Sequence, residues 1–77
     1  MMTLEAFTKN LENELEDIPK GTLTPEVNYK DLETWSSMYA LIIIAYVNLE
    51  FDVTLNGDDL RNCNNIQELY DLIQSRI

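Results

Sequence analysis

Histidine is absent from this 77-residue sequence, and cysteine occurs once, at Cys63. No His/Cys zinc set and no Ser–His or Cys–His nucleophile pair can therefore be assembled. A single cysteine forms no internal disulfide, so a reducing, cytoplasmic setting is the expected localisation. Positive charge is also scarce. Five Lys and Arg stand against fourteen Asp and Glu, for a net charge of -9. Phosphate backbones repel such a chain, so nucleic acid is not an expected partner. Basic protein surfaces are, and the strong net charge favours a monomer. Long apolar runs are missing too: the longest, Met38 to Val47, has ten residues. A membrane span needs ~20, so no membrane partner is expected. Met1 to Glu5 has no basic region followed by an apolar stretch, so no secretory signal is expected.

What is present suits one small all-α domain over residues 1–77, with 45% hydrophobic residues. Leu4, Phe7, Leu11, Leu15 and Ile18 recur at helical spacing, predicting a first helix over Thr3–Asp17 with Thr3 as its N-cap. Glu12, Asn13, Glu14 and Glu16 fall on its opposite, solvated face. Pro19 and Gly21 stop it, and Ile18–Trp35 reads as a long connection that Tyr29 and Leu32 would plug into the bundle. A second helix is expected over Ser37–Glu50, capped by Ser36 or Ser37. It carries one apolar stripe at Ala40, Ile43, Ile44, Val47 and Phe51, and another at Met38, Leu41, Ile42, Ala45 and Leu49. A small bundle buries only part of such a helix, so the second stripe is covered by another element or left for a ligand or partner. A turn over Asp52–Gly57, a short helix over Asp58–Arg61 and a last helix over Ile66–Ile77 complete the order, with Asn64 and Asn65 supplying cap chemistry.

Asp52 to Gly57 resembles the opening of a calcium loop. Its third position is Thr54, however, and its twelfth is Cys63 in place of the bidentate Glu, so a turn and a helix cap are expected instead of a metal site. The Asp58–Asp59 pair lacks the apolar setting that would raise a carboxyl pKa for acid catalysis, and Cys63 has no neighbour that would activate it. No catalytic residue is expected. The informative stretch is Thr34-Trp35-Ser36-Ser37-Met38, where a long loop becomes the most apolar helix of the chain. A serine there either caps the helix or presents its hydroxyl at the positive end of the helix dipole, where a phosphate diester is favoured.

Ser37, Glu50-Phe51-Asp52, Tyr29-Lys30-Asp31-Leu32 and Asn65-Ile66-Gln67-Glu68-Leu69 together resemble the acyl carrier protein family, and the resemblance spans about Leu4 to Ile73. The family's Asp-Ser-Leu motif opens its second helix, and its Ser bears 4'-phosphopantetheine. Counting back from Phe51 places Ser37 on that position. The resemblance implies a small four-helix bundle of acyl-carrier type, with three main helices, one short helix and a long first loop. It implies a non-enzymatic carrier of acyl or aminoacyl thioesters in fatty acid, polyketide or related biosynthesis. The implied partners are a phosphopantetheinyl transferase and acyl-activating, ketosynthase or acyltransferase enzymes.

This sequence departs from the family in three places. Ser36 replaces the Asp that assists contact with the transferase and its magnesium, and Met38 replaces Leu. Ile42, Asn48 and Leu49 stand where the family usually carries Glu. Partner binding is therefore expected on Trp35, Ser36, Met38, Leu41, Ile42 and Ala45, through apolar burial more than ion pairing. The cargo is expected in a groove lined by Ala40, Ile43, Val47 and Leu60. The alternative is an unmodified helical interaction module with the same fold.

Overall fold

In the computed structural model, residues 2–15 and 18–77 are described; the expected helical positions Glu16 and Asp17 lie outside them. The described chain is helical, with no strand: α1 Leu4–Glu14, α2 Ser37–Phe51, α3 Gly57–Asn62 and α4 Ile66–Arg76. α1 packs on both α2 and α4. Thr3 caps α1 as expected, accepting from the Ala6 amide at 3.2 Å. The helix ends earlier than Asp17. Leu15 leaves helical geometry at φ -94°, ψ 76°, four residues before Pro19. At the other end of the chain, Ile77 is exposed beyond α4 and does not belong to its apolar face.

The core forms around Phe7, Leu11, Ile43, Leu60, Ile66, Leu69 and Ile73, all essentially sealed from solvent. The Phe7 ring is central. It meets Phe51 edge-on at 5.7 Å and lies 5.6 Å from Tyr70 and 6.3 Å from Tyr46. Such tilted and edge-on pairs suit the aromatic quadrupole. The Tyr70 hydroxyl donates to the Met2 carbonyl at 2.6 Å and fastens the start of the chain to α4.

α2 turns inward a face that shares Ile43 and Val47 with the first expected stripe but is otherwise rotated from it. Tyr39, Ile43, Tyr46 and Val47 are buried, while Ala40, Ile44 and Phe51 are only half-buried. The helix is apolar nearly all round, so periodicity does not fix which stripe faces the core. The two tyrosines supply most of the aromatic volume on the face chosen. Met38 and Leu41 are each 66% exposed and Leu49 is 83% exposed. The second stripe is thus left largely uncovered, with Ile42 half-buried.

The long connection is pinned at several points along its length. Tyr29 is fully buried on a single 3-10 turn, Tyr29–Asp31, and its hydroxyl donates to the carbonyls of Leu60 at 2.6 Å and Cys63 at 3.3 Å. The Gln67 amide donates to the Pro25 carbonyl at 3.0 Å. A further pin is Glu12, assigned from the sequence to a solvated face. Its carboxylate accepts from the Gly21 amide at 2.9 and 3.0 Å and from the Leu23 amide at 2.9 Å. Gly21 takes φ +88°, a conformation that side chains beyond glycine resist, and this turns its amide toward Glu12.

The Leu23 and Gly21 amides, in that order, hold the Glu12 carboxyl below its ordinary pKa of 4.5. A group depressed in the folded state stabilises above its unfolded value and loses that contribution as pH falls through the folded one. Stability is therefore expected to fall on acidification below about pH 4.5. Urea midpoints of Glu12→Gln should fall less steeply over that range than those of the parent chain. Equal slopes would mean that the clamp is not formed in solution. Glu12→Ala is expected to cost about 1 kcal/mol near neutrality, the usual net value of such bonds at a wet site.

Candidate functional site

The start of α2 is unlike the starts of the other helices. Thr3, Asn56 and Asn65 each accept a hydrogen bond from a first-turn amide through their side chains. Ser36 occupies the N-cap position of α2 in extended geometry, φ -154° and ψ 171°, yet its hydroxyl makes no such bond. The expected side-chain cap is therefore absent. The backbone begins the helix on its own, with the Ser36 carbonyl accepting from the Ala40 amide at 3.3 Å. Both serines are exposed, so water can satisfy their hydroxyls and the free amides of the first turn. Ser37 is the first helical residue, and its side chain stands at the positive end of a 15-residue helix.

Beside these serines a groove of about 450 Å³ runs between α2 and α3. Its apolar lining comes from Ala40, Leu41 and Ile44 on one side and Leu60 on the other. Trp35 forms an end wall. Its ring is held 5.2 Å from Tyr29 and 6.2 Å from Tyr39, the latter edge-on. Ile43 and Val47, expected in this lining, are fully buried in the core instead. The correction follows from the orientation of α2: with Tyr39 and Tyr46 turned inward, Ile43 and Val47 point inward with them, and Ile44 turns to the groove. The sequence reading also missed Lys30 and Arg61, which line the groove as well. The Lys30 ammonium donates to the Arg61 carbonyl at 2.6 Å, across 31 positions of sequence. No local signal joins two residues that far apart.

The residues expected to meet partners do not form one patch. Trp35, Ser36 and Leu41 share the groove with Ser37. Ile42 and Ala45 line a shallower depression farther along α2, with Glu14, Tyr46 and Leu49. Met38 is exposed at the start of α2.

Several polar groups elsewhere perform structural work. Asp52 ends α2 in left-handed geometry, φ 55°. Asn56 and Asp59 form a reciprocal capping box at the start of α3, with bonds of 2.9 and 3.0 Å. The calcium-like stretch thus spends Asn56 on a cap. Asp59 also receives a two-pronged contact from Arg76 at 2.8 and 2.9 Å, and this lowers its pKa. Arg76 further donates to the Thr54 carbonyl at 3.2 Å, so one guanidinium joins α4 to α3 and to the turn before it. Cys63 is buried, and burial raises its thiol pKa away from the reactive thiolate. Among the described residues no group of three or more His, Cys, Asp or Glu converges as a metal-ion donor set, and no helix is long and apolar enough to cross a membrane.

No family model, curated protein or solved structure matches this chain. The four-helix bundle and the geometry around Ser37 are therefore what bear on function.

Proposed function

We propose that this chain is a carrier of the acyl-carrier type, with Ser37 as the attachment point for 4'-phosphopantetheine. The observation that carries the reading is the exposed Ser37 on the first turn of α2, at the mouth of an apolar groove. The residues around it suit the group. The helix end favours the charge of a phosphate diester, and the groove accepts an apolar chain. When bound, the group supplies a thiol that holds acyl or aminoacyl cargo as a thioester. The protein's own part is tethering, which raises the local concentration of cargo at each partner enzyme. Ala40, Ile44 and Leu60 would shelter the cargo. The phosphopantetheinyl transferase and the acyl-activating, ketosynthase or acyltransferase enzymes would be the partners, all in the cytoplasm.

The test is to co-express the full chain with a broad-specificity phosphopantetheinyl transferase and weigh it intact. A gain of one phosphopantetheinyl unit is expected. An unchanged mass beside a carrier that the same enzyme does load would overturn the proposal. It would leave the second reading, an unmodified interaction module, which draws on the exposed Met38, Leu41 and Leu49.

On the carrier reading, docking would use the exposed apolar stripe of α2. The face offers Met38, Leu41 and Ala45 without a carboxylate among them, so association with the transferase should depend on burial more than on ion pairs. Affinity measured by titration calorimetry is expected to change little as ionic strength rises from low to physiological. A steep loss over that interval would show that charge dominates docking.

A further inference from the structure

We propose that Lys30 and Arg61 form a cationic cradle for the phosphodiester that Ser37 would carry. The inference rests on the carrier reading and extends it to two residues outside the serine-bearing helix. It starts from how charge is distributed. The chain has only five basic residues and fourteen acidic ones. Two of the five line the groove that Ser36 and Ser37 also line, and among the described residues no Asp or Glu shares that lining. In a protein of net charge -9, this groove is a local exception.

Another pair of cations serves as a comparison. Lys9 and Lys20 line a cavity beside α1, but the Glu12 carboxylate lines it too and supplies the anion from within the chain. In the groove the cations retain unspent donors. Lys30 gives one hydrogen bond, to the Arg61 carbonyl, and an ammonium has three protons to give. Arg61 pairs with Asp58 through one nitrogen, and a guanidinium has five N–H donors. Asp58 is itself exposed and stands outside the groove lining.

The hydrogen bond from Lys30 to Arg61 gives the cradle its geometry. It fixes the 3-10 turn of the long loop to the backbone of the last turn of α3, so two residues from separate elements bring a cation each to one groove lining. Tyr29, the residue before Lys30, anchors the same turn in the core. The cations are therefore held against the groove on a fixed backbone. A phosphodiester on Ser37 adds negative charge to an already acidic molecule. Charge-assisted hydrogen bonds from this pair would offset the repulsion and direct the attached chain toward Ala40, Ile44 and Leu60.

The experiment uses the full chain labelled with nitrogen-15, before and after loading by the transferase, and compares amide and guanidinium NMR shifts. Loading is expected to move the Lys30 amide and the Arg61 Nε–H, neither of which is a neighbour of Ser37 in sequence. The movement should vanish at about 1 M salt, where the screening length drops to ~3 Å. The Lys30 amide movement should shrink in Arg61→Gln, and the Arg61 Nε–H movement should shrink in Lys30→Met. Arg61 is exposed, so Arg61→Gln keeps the fold and reports even if Lys30→Met loosens the loop. A full mass gain with both signals unmoved would overturn the cradle and leave the carrier reading standing. No mass gain on loading would overturn both. A shift that persists unchanged in high salt and in both variants would also overturn the cradle, because the cations would then play no part in it.

Discussion

Tyr29→Ala is expected to remove a large share of the protein's stability at room temperature. Removing a fully buried aromatic side chain costs ~3–5 kcal/mol. A domain of 77 residues has only roughly 4–12 kcal/mol to lose, and small domains sit near the lower end. Tyr29→Phe separates ring from hydroxyl. The ring keeps its packing, but the carbonyls of Leu60 and Cys63 lose the donor that now serves them at 2.6 and 3.3 Å. Buried acceptors left without a partner cost ~1–3 kcal/mol. Burial raises the Tyr29 phenol pKa far above its ordinary value, so the hydroxyl remains a donor through any practical pH range. Urea unfolding followed by far-ultraviolet circular dichroism measures both variants. A Tyr29→Phe midpoint equal to that of the parent chain would show that the hydroxyl does not hold α3 to the loop.

Ser37→Ala is expected to abolish loading completely, while Ser36→Ala retains it. Alanine at position 37 removes the only atom through which that residue can be esterified, so the effect on intact mass is all or none. Both serines are exposed, and neither hydroxyl caps α2, so each substitution should shift the urea midpoint by less than ~0.5 kcal/mol in stability. An unloaded variant would thus still be a folded one. Loss of loading in Ser36→Ala with retention in Ser37→Ala would move the attachment point by one residue. That result would place it at the N-cap in extended backbone and not on the first helical turn. Ser36→Asp restores the acidic residue that the family resemblance expects before the attachment serine. It is expected to speed loading, as followed by the time course of mass gain.

The helices were legible in the sequence because their signals are local. Thr3 and Asn65 are N-caps by side-chain chemistry, and the spacing of Leu4, Phe7 and Leu11 follows from 3.6 residues per turn. The Ser36-Ser37 pair also stood out locally, since a serine at the boundary between loop and apolar helix sits at the end of a dipole wherever that helix packs, but the choice of Ser37 came from the family resemblance. Pinning of the loop by Tyr29 and Leu32 was expected from the apolar anchors scattered along it. The carbonyl partners of Tyr29 on and beside α3 were not.

By itself, then, the sequence determined four helical segments, their order, and the placement of an acidic surface over an apolar interior. Each of these depends on residues a few positions apart. Tertiary structure decided which side of α2 is core, because a helix apolar all round has no preferred face until Phe7 and its aromatic neighbours give Tyr46 a place to pack. That choice sent Ile43 and Val47 inward and opened Ile44 to the groove. It was likewise the folded chain that drew Glu12 onto the Gly21 and Leu23 amides and set Lys30 against Arg61. Those contacts join residues from nine to 31 positions apart, and only closing the loop and packing α3 brings them within hydrogen-bonding distance.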